Sequence, residues 1–295
     1  MAAEFQLTIK KDLKPSAIPS EDVFLSQARE LMNSSETWKK GKSYHKDLVH
    51  TFHRPKGPGD GAAWHCRVSQ HTAEDATFDE FWNMLGKNHS DNEIKYIKEV
   101  KKATLLKQIS PSQSIWSMYY EFPPPVSPRF FTVLQIAHLD ETSPKTGIFV
   151  SIPVDVSEDP EMAKQEFHHA TRGRYCSVER IKEMGDGKVE WRMATSSTPG
   201  GHIPTFLVES TMASTISADV THFLHWYHTV RPKADVAPSN AKETPAGQAD
   251  HGTAISTTAE TNAVDADIVS ASTTANIPVA GLMTTSVPTA AGTAA

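Results

Sequence analysis

Downstream of Ser20, apolar residues recur at three- and four-residue steps. Phe24, Leu25, Ala28, Leu31 and Met32 fall on one stripe, which predicts a helix. Ser20 is a good N-cap, and Glu21 and Asp22 suit the positive end of the helix dipole. Tyr44–Phe52 alternates weakly, as a strand does, and the glycine- and proline-rich run Gly57–Gly61 reads as a turn. In the next segment Trp64, Cys66 and Val68 alternate with His65, Arg67 and Ser69, the pattern of a half-buried strand.

Two helix starts follow. Thr77 and Glu80 have capping-box spacing ahead of Phe81, Trp82 and Leu85, and Ser90 and Glu93 repeat it ahead of Ile94, Ile97 and Val100. Strands are then predicted over 103–109, 115–122, 130–139, 147–154, 174–182 and 188–196. Their Pro-, Ser- and Gly-rich separations suit antiparallel meanders, not helical crossovers. The last periodic segment has Gly200, Gly201 and Pro204 at its start, with Pro204 fit for a first helical turn. Ile216, Val220, Phe223, Leu224 and Tyr227 make its apolar stripe. Helices at both ends of a long antiparallel sheet define an α+β class.

Composition changes the picture after Tyr227, beyond which the chain has no Phe, Trp or Tyr. The stretch 232–295 is mostly Ala, Thr, Ser, Val and Pro, without helical or alternating period. Such a segment buries too little apolar surface to offset roughly 1–2 kcal/mol of ordering entropy per residue. The expected organisation is therefore a helical segment over 1–43, a domain over 44–231, and a disordered Thr- and Ala-rich tail over 232–295. The tail holds two lysines against six acidic residues, so of the chain's net −6 about −2 remains on the domain. That charge argues against nucleic acid as a partner. No signal-peptide core and no apolar run near the ~18–20 residues of a membrane span is visible, so a cytoplasmic protein is expected. Two cysteines, Cys66 and Cys176, imply no disulfide framework.

Four strings, WHCRVSQH at 64–71, FPPPVSPRFF at 122–131, RGRYCSVERI at 172–181 and WRMATSSTPGGHIP at 191–204, carry a family resemblance together with the order of elements. From about residue 44 to 230 the chain resembles a fungal family of unknown function within the START-like, helix-grip superfamily. The resemblance implies a curved antiparallel sheet gripping a long C-terminal helix, with an apolar tunnel between them. It also implies a hydrophobic small molecule or lipid as the partner, with at most transient membrane contact. Superfamily members bind sterols, phospholipids, ceramides, polyketides or plant hormones, and some catalyse cyclisation, dehydration or condensation. A cyclase or isomerase of fungal secondary metabolism is the alternative reading, and an interaction module without a small ligand is a third.

The residues themselves offer no cofactor or catalytic signature. The fourteen histidines include His45, His50, His53, His65 and His71 in one short region, yet His50 and His53 are expected on opposite faces of a strand. No metal and no cofactor are expected. There is no GxSxG elbow, Walker loop or nicotinamide fingerprint. Cys66 and Cys176 read as buried structural thiols. Arg129, after a proline-stiffened turn and beside Phe130 and Phe131, is either a ligand anchor or half of a structural pair. Arg192 and Glu179 pose the same choice. Trp64, Trp116, Trp191, Met193, Phe206 and Phe223 are core residues in an ordinary domain, and tunnel-lining candidates in a helix-grip fold. Lys95, Lys98 and Lys102 are expected on one helical face that could meet anionic lipid, although a solvated face is the plainer reading.

Overall fold

The computed structural model describes residues 5–124, 126–201 and 203–232. Helix α1 spans Glu21–Ser34. Strands β1 (Lys39–Tyr44), β2 (Val49–Arg54) and β3 (Trp64–His71) follow. The weak alternation at 44–52 is thus a hairpin of two strands, and its corner carries positive φ at His45, Lys46 and Asp47. The boundary expected at 43/44 falls inside β1. Most of the expected tail lies outside the described residues.

After β3 comes the short helix α2 (Phe78–Phe81), capped by the reciprocal Thr77–Glu80 box, which runs on into a π-helical turn at Trp82–Gly86. Helix α3 covers His89–Tyr96 only. The expected Ser90 cap is absent because the Ser90 hydroxyl donates to Gln135 Oε1 at 2.9 Å. Lys95, Lys98 and Lys102 share no helical face, since α3 ends at Tyr96 and Lys102 lies in the next strand. Strands β4 (Val100–Ser110), β5 (Gln113–Tyr120), β6 (Arg129–Asp140) and β7 (Thr146–Pro153) form a meander. Helix α4 (Pro160–Ala163), the two-residue β8 (Thr171–Arg172), β9 (Arg174–Glu183), β10 (Val189–Thr198) and helix α5 (Thr205–Val230) complete the chain.

The strands make one sheet in the order β1-β2-β3-β10-β9-β7-β6-β5-β4, antiparallel along that path, with β8 pairing parallel to β6. Because side chains alternate across a strand, each strand contributes to two different interiors. On one face Cys66, Leu134, Val150, Val178 and Ala194 pack against Phe24, Leu25, Ala28 and Met32 of α1, and each buried Leu, Val, Phe or Met among them contributes roughly 1.5–3 kcal/mol. The other face is gripped by α5, about 39 Å long at 1.5 Å per residue, which packs on β1, β2, β3 and α3. This α+β layout is the START-like helix-grip fold: a curved antiparallel sheet around a long C-terminal helix.

Register fixes which side chains share the gripped face. One row crosses the sheet as Thr51, Arg67, Met193, Glu179, Phe149 and Ala137. The neighbouring row runs His65, Thr195, Ser177, Ser151, Gln135 and Ser114.

Candidate functional site

The polar half of β3's alternation does not face solvent. His65, Arg67, Ser69 and His71 are all buried on the gripped face, and Arg67 is only 1% exposed. Between this face, α3 and α5 lies a cavity walled by Arg67, Glu179, Trp191, Met193 and Thr195 from the sheet. Glu93 and Tyr96 of α3 and Met212, Ile216 and Asp219 of α5 close it, and Tyr120, Phe131 and Tyr175 also line it. Its empty space is about 680 Å³, but the volume open to the centre of a water-sized sphere is only about 70 Å³. At ~10–15 Å³ per water, that is room for about five to seven waters, or a chain of about as many heavy atoms.

Arg67 organises the charge. Its guanidinium lies 4.0 Å from the Trp191 ring centroid and 3.5 Å from Glu179 Oε2. The Trp191 indole N–H donates to the same Glu179 oxygen at 2.7 Å. Arg67 Nε and Nη1 have no hydrogen-bond partner, and neither do Glu93 Oε2, Ser197 Oγ and Asp219 Oδ1. Buried polar groups are ordinarily paired, so five such atoms around one cavity set this region apart from the rest of the interior.

Burial pushes the Glu93 carboxyl up from its usual range; the Glu179 charge adds to this, and His89 and the Tyr120 hydroxyl oppose it. Burial likewise holds Asp219 well above the ordinary 3.8, against the attraction of Arg67, with Glu93, Glu179 and Glu99 adding to the rise. Both shifts favour the neutral acid, and the carboxylate at ion-pair distance from Arg67 is Glu179. The Tyr120 hydroxyl donates to Glu93 Oε1 at 3.1 Å. Burial raises Tyr96, Tyr120 and Tyr175 as well, so all three remain protonated donors.

A second hollow adjoins the first. It runs between the Trp82–Gly86 turn, the start of α3 and strands β4–β7, with about 620 Å³ open to a water-sized sphere's centre. His89 lines both spaces. Its ring stacks on Phe149 with centroids 3.9 Å apart, and its Nδ1 meets the Leu85 carbonyl at 2.9 Å. Trp82 holds this corner in a notch of two glycines, since a Cβ on either Gly86 or Gly147 would come within 2.4 Å of its ring.

The residues singled out in the sequence are distributed unevenly. Trp191 and Met193 line the cavity, and Trp116 lines the outer groove. Phe223 stands in an aromatic cluster, 5.3 Å from Trp191 and 5.4 Å from Phe81 between ring centroids. Trp64 faces the α1 side, its indole N–H donating to Asp60 Oδ1 at 2.9 Å. Phe206, in the first turns of α5, is 68% exposed. Arg129 is buried away from the cavity wall, where its guanidinium donates to Ser127 and to the Pro128 carbonyl. Arg192 points to the α1 side and pairs with Glu190, while Glu179 is in the cavity. Sequence reasoning passed over Arg67, Glu93 and Asp219. The available signal was Arg67 itself, because Cys66 and Val68 on one side and Trp191 opposite leave its strand little access to water.

Burial raises the thiols of Cys66 and Cys176, as structural cysteines require. Among the described residues no group of three or more His, Cys, Asp or Glu is placed to hold a metal ion. No helix among them is long and apolar enough to cross a membrane.

Residues 64–227 match the family described as protein of unknown function DUF3074, and the chain belongs to that family. Solved structures share its fold. Human STARD10 superposes with a TM-score of 0.57 at 11% identity, covering 71% of this chain and 80% of that one. Human StAR-related lipid transfer protein 5 gives 0.54 at 16% identity, covering 70% and 96%. The human StarD13 (DLC2) lipid transfer and protein localization domain gives 0.52 at 11%, covering 71% and 98%. No curated protein matches the sequence.

Proposed function

We propose that the protein binds a small amphipathic molecule in the cavity beneath α5, with a neutral oxygen-bearing group, hydroxyl or carbonyl, held by Arg67. The observation that carries this reading is the Arg67 guanidinium, fully buried with two nitrogens unpartnered beside a cavity. A buried polar atom left unpaired costs about 1–3 kcal/mol, and a ligand oxygen recovers that cost on binding. Glu93 and Asp219, each with one carboxyl oxygen free, add donor or acceptor capacity. Trp191, Met193, Met212 and Ile216 offer apolar contact to the rest of the molecule. The ion pair of Arg67 with Glu179 leaves the cavity near neutrality, so a charged head is disfavoured. The lipid-transfer names of the structural neighbours agree in kind with such a role, as carrier or sensor.

The test is native mass spectrometry on freshly purified protein beside the paired variant Arg67→Met/Glu179→Gln, which removes both charges together. A co-purifying or added alcohol retained by the parent and released by the variant supports the reading. Equal retention by both sinks it.

A second reading, proton-transfer catalysis, is favoured by two buried carboxyls, Glu93 and Asp219, that line the same cavity as Arg67 and whose neutral form burial favours. In that step a carbonyl oxygen held by Arg67 takes a proton from Asp219 while the Glu179 carboxylate takes the proton from the adjacent carbon. The enol so formed gives its O–H proton back to Asp219 as Glu179 returns its proton to a different carbon, which completes an isomerisation. Asp219→Asn would abolish turnover and leave binding intact. Parallel loss of binding and turnover would speak against it.

A further inference from the structure

Resting on that reading, we propose that the outer groove is the second half of the same binding site. The ligand is then an elongated single-chain amphiphile, whose head sits at Arg67 and whose tail passes His89 into the groove. Three observations carry this. The inner cavity admits only about 70 Å³ of water-sized centres, enough for a head group and a few carbons, whereas the groove offers about 620 Å³. The two spaces share His89, and the sheet row that begins at Arg67, Met193 and Glu179 in the cavity continues as Phe149 and Ala137 in the groove.

The partition between them is taken to be the His89 ring stacked on Phe149, since His89 lines both spaces, and Gln135 lines the groove. Gln135 is itself only 4% exposed, and its amide nitrogen has no hydrogen-bond partner although it lines the groove. Rotation of an aromatic side chain is a small motion that needs no strand to part. Beyond the partition, Trp116 pairs across strands with Leu105, which is 44% exposed at the rim and gives a tail an apolar wall.

The experiment is a competition among primary alcohols from hexanol to tetradecanol, read by native mass spectrometry on the full chain. Affinity should climb about fourfold per methylene through decanol and beyond, the increment for burying one CH₂. Leu105→Asp, at a position 44% exposed, and Ala137→Phe, which fills the groove, should each flatten the gain for longer chains relative to the parent. A parent series that plateaus at octanol while hexanol binding still depends on Arg67 would overturn the groove assignment and leave the cavity reading standing. A length gain that survives both variants would also overturn it. If no alcohol binds at any length, both readings fall.

Discussion

Glu179→Gln isolates the charge balance on which the cavity depends. Glu179 is the one carboxylate within ion-pair distance of Arg67 among the described residues, at 3.5 Å. Glutamine keeps a carbonyl oxygen for the Trp191 indole N–H, now bonded at 2.7 Å, so the substitution removes charge and little else. Breaking a buried pair by neutralising one partner costs about 3–5 kcal/mol, because the survivor stays buried and uncompensated. The Trp191 ring 4.0 Å from the guanidinium retains part of the stabilisation, which places the loss near the lower bound, about 3 kcal/mol. For a domain of this size that is a fall in melting temperature of about 6–12 °C. Adding Arg67→Met removes the orphaned cation and its two unpartnered nitrogens, so the double variant should equal or exceed the parent. Urea melts of parent, single and double variants, with unchanged m-values, read both numbers. If Glu179→Gln alone melts like the parent, the Arg67 charge is being met by an ionised Glu93 or Asp219. The neutrality of those acids, and the preference for a neutral head group, would then be wrong.

Three further outcomes follow from the same geometry. Asp219 binds its proton more tightly folded than unfolded, so the stability it contributes is full below about pH 4 and is lost as pH rises toward its elevated folded value. Asp219→Asn should therefore gain on the parent between pH 4.5 and 7.5 in paired thermal melts; a difference independent of pH would contradict the assignment. Gly147→Ala would place a Cβ about 2.4 Å from the Trp82 ring and should cost about 1–3 kcal/mol in a denaturant melt, with no loss expected only if Trp82 moves freely. Ending the chain after Pro232 should shift the melting temperature by no more than about 2 °C, since the omitted residues carry no aromatic side chain. Arg231 must be kept, because it bonds Glu80 at 2.8 Å and the Ala73 carbonyl at 2.7 Å.

Periodicity and turn residues exposed most of the fold. The strands from β4 to β10, apart from the two-residue β8, were placed to within three residues at each end, because Pro-, Ser- and Gly-rich turns punctuate an antiparallel meander in the chain itself. The hairpin at 39–54 was obscured because its corner residues His45, Lys46 and Asp47 are not the glycines such a corner usually takes. Much of the site was illegible for a related reason. Alternation separates two faces without saying what each face meets, and polar residues at every second position ordinarily meet water. In β3 they meet a cavity, which depends on α5 closing over the sheet more than 130 residues later. Arg129 and Phe206 looked like site residues from local context, but a turn's own carbonyl and hydroxyl hold the first, and the second sits at the uncovered start of α5. Glu93 and Asp219 lie on separate helices, and only the tertiary fold turns them toward Arg67.

The most direct test of Arg67 as the polar anchor is a calorimetric titration of hexanol into the parent and into Arg67→Met/Glu179→Gln. Hexanol fits the inner cavity, so its affinity reports the head group with little contribution from a tail. Loss of a hydrogen bond to a charged donor, worth about 1.5–3 kcal/mol, should weaken binding about ten- to a hundredfold in the variant while its urea midpoint stays at or above that of the parent. Equal dissociation constants for the two proteins would show that Arg67 does not hold the ligand.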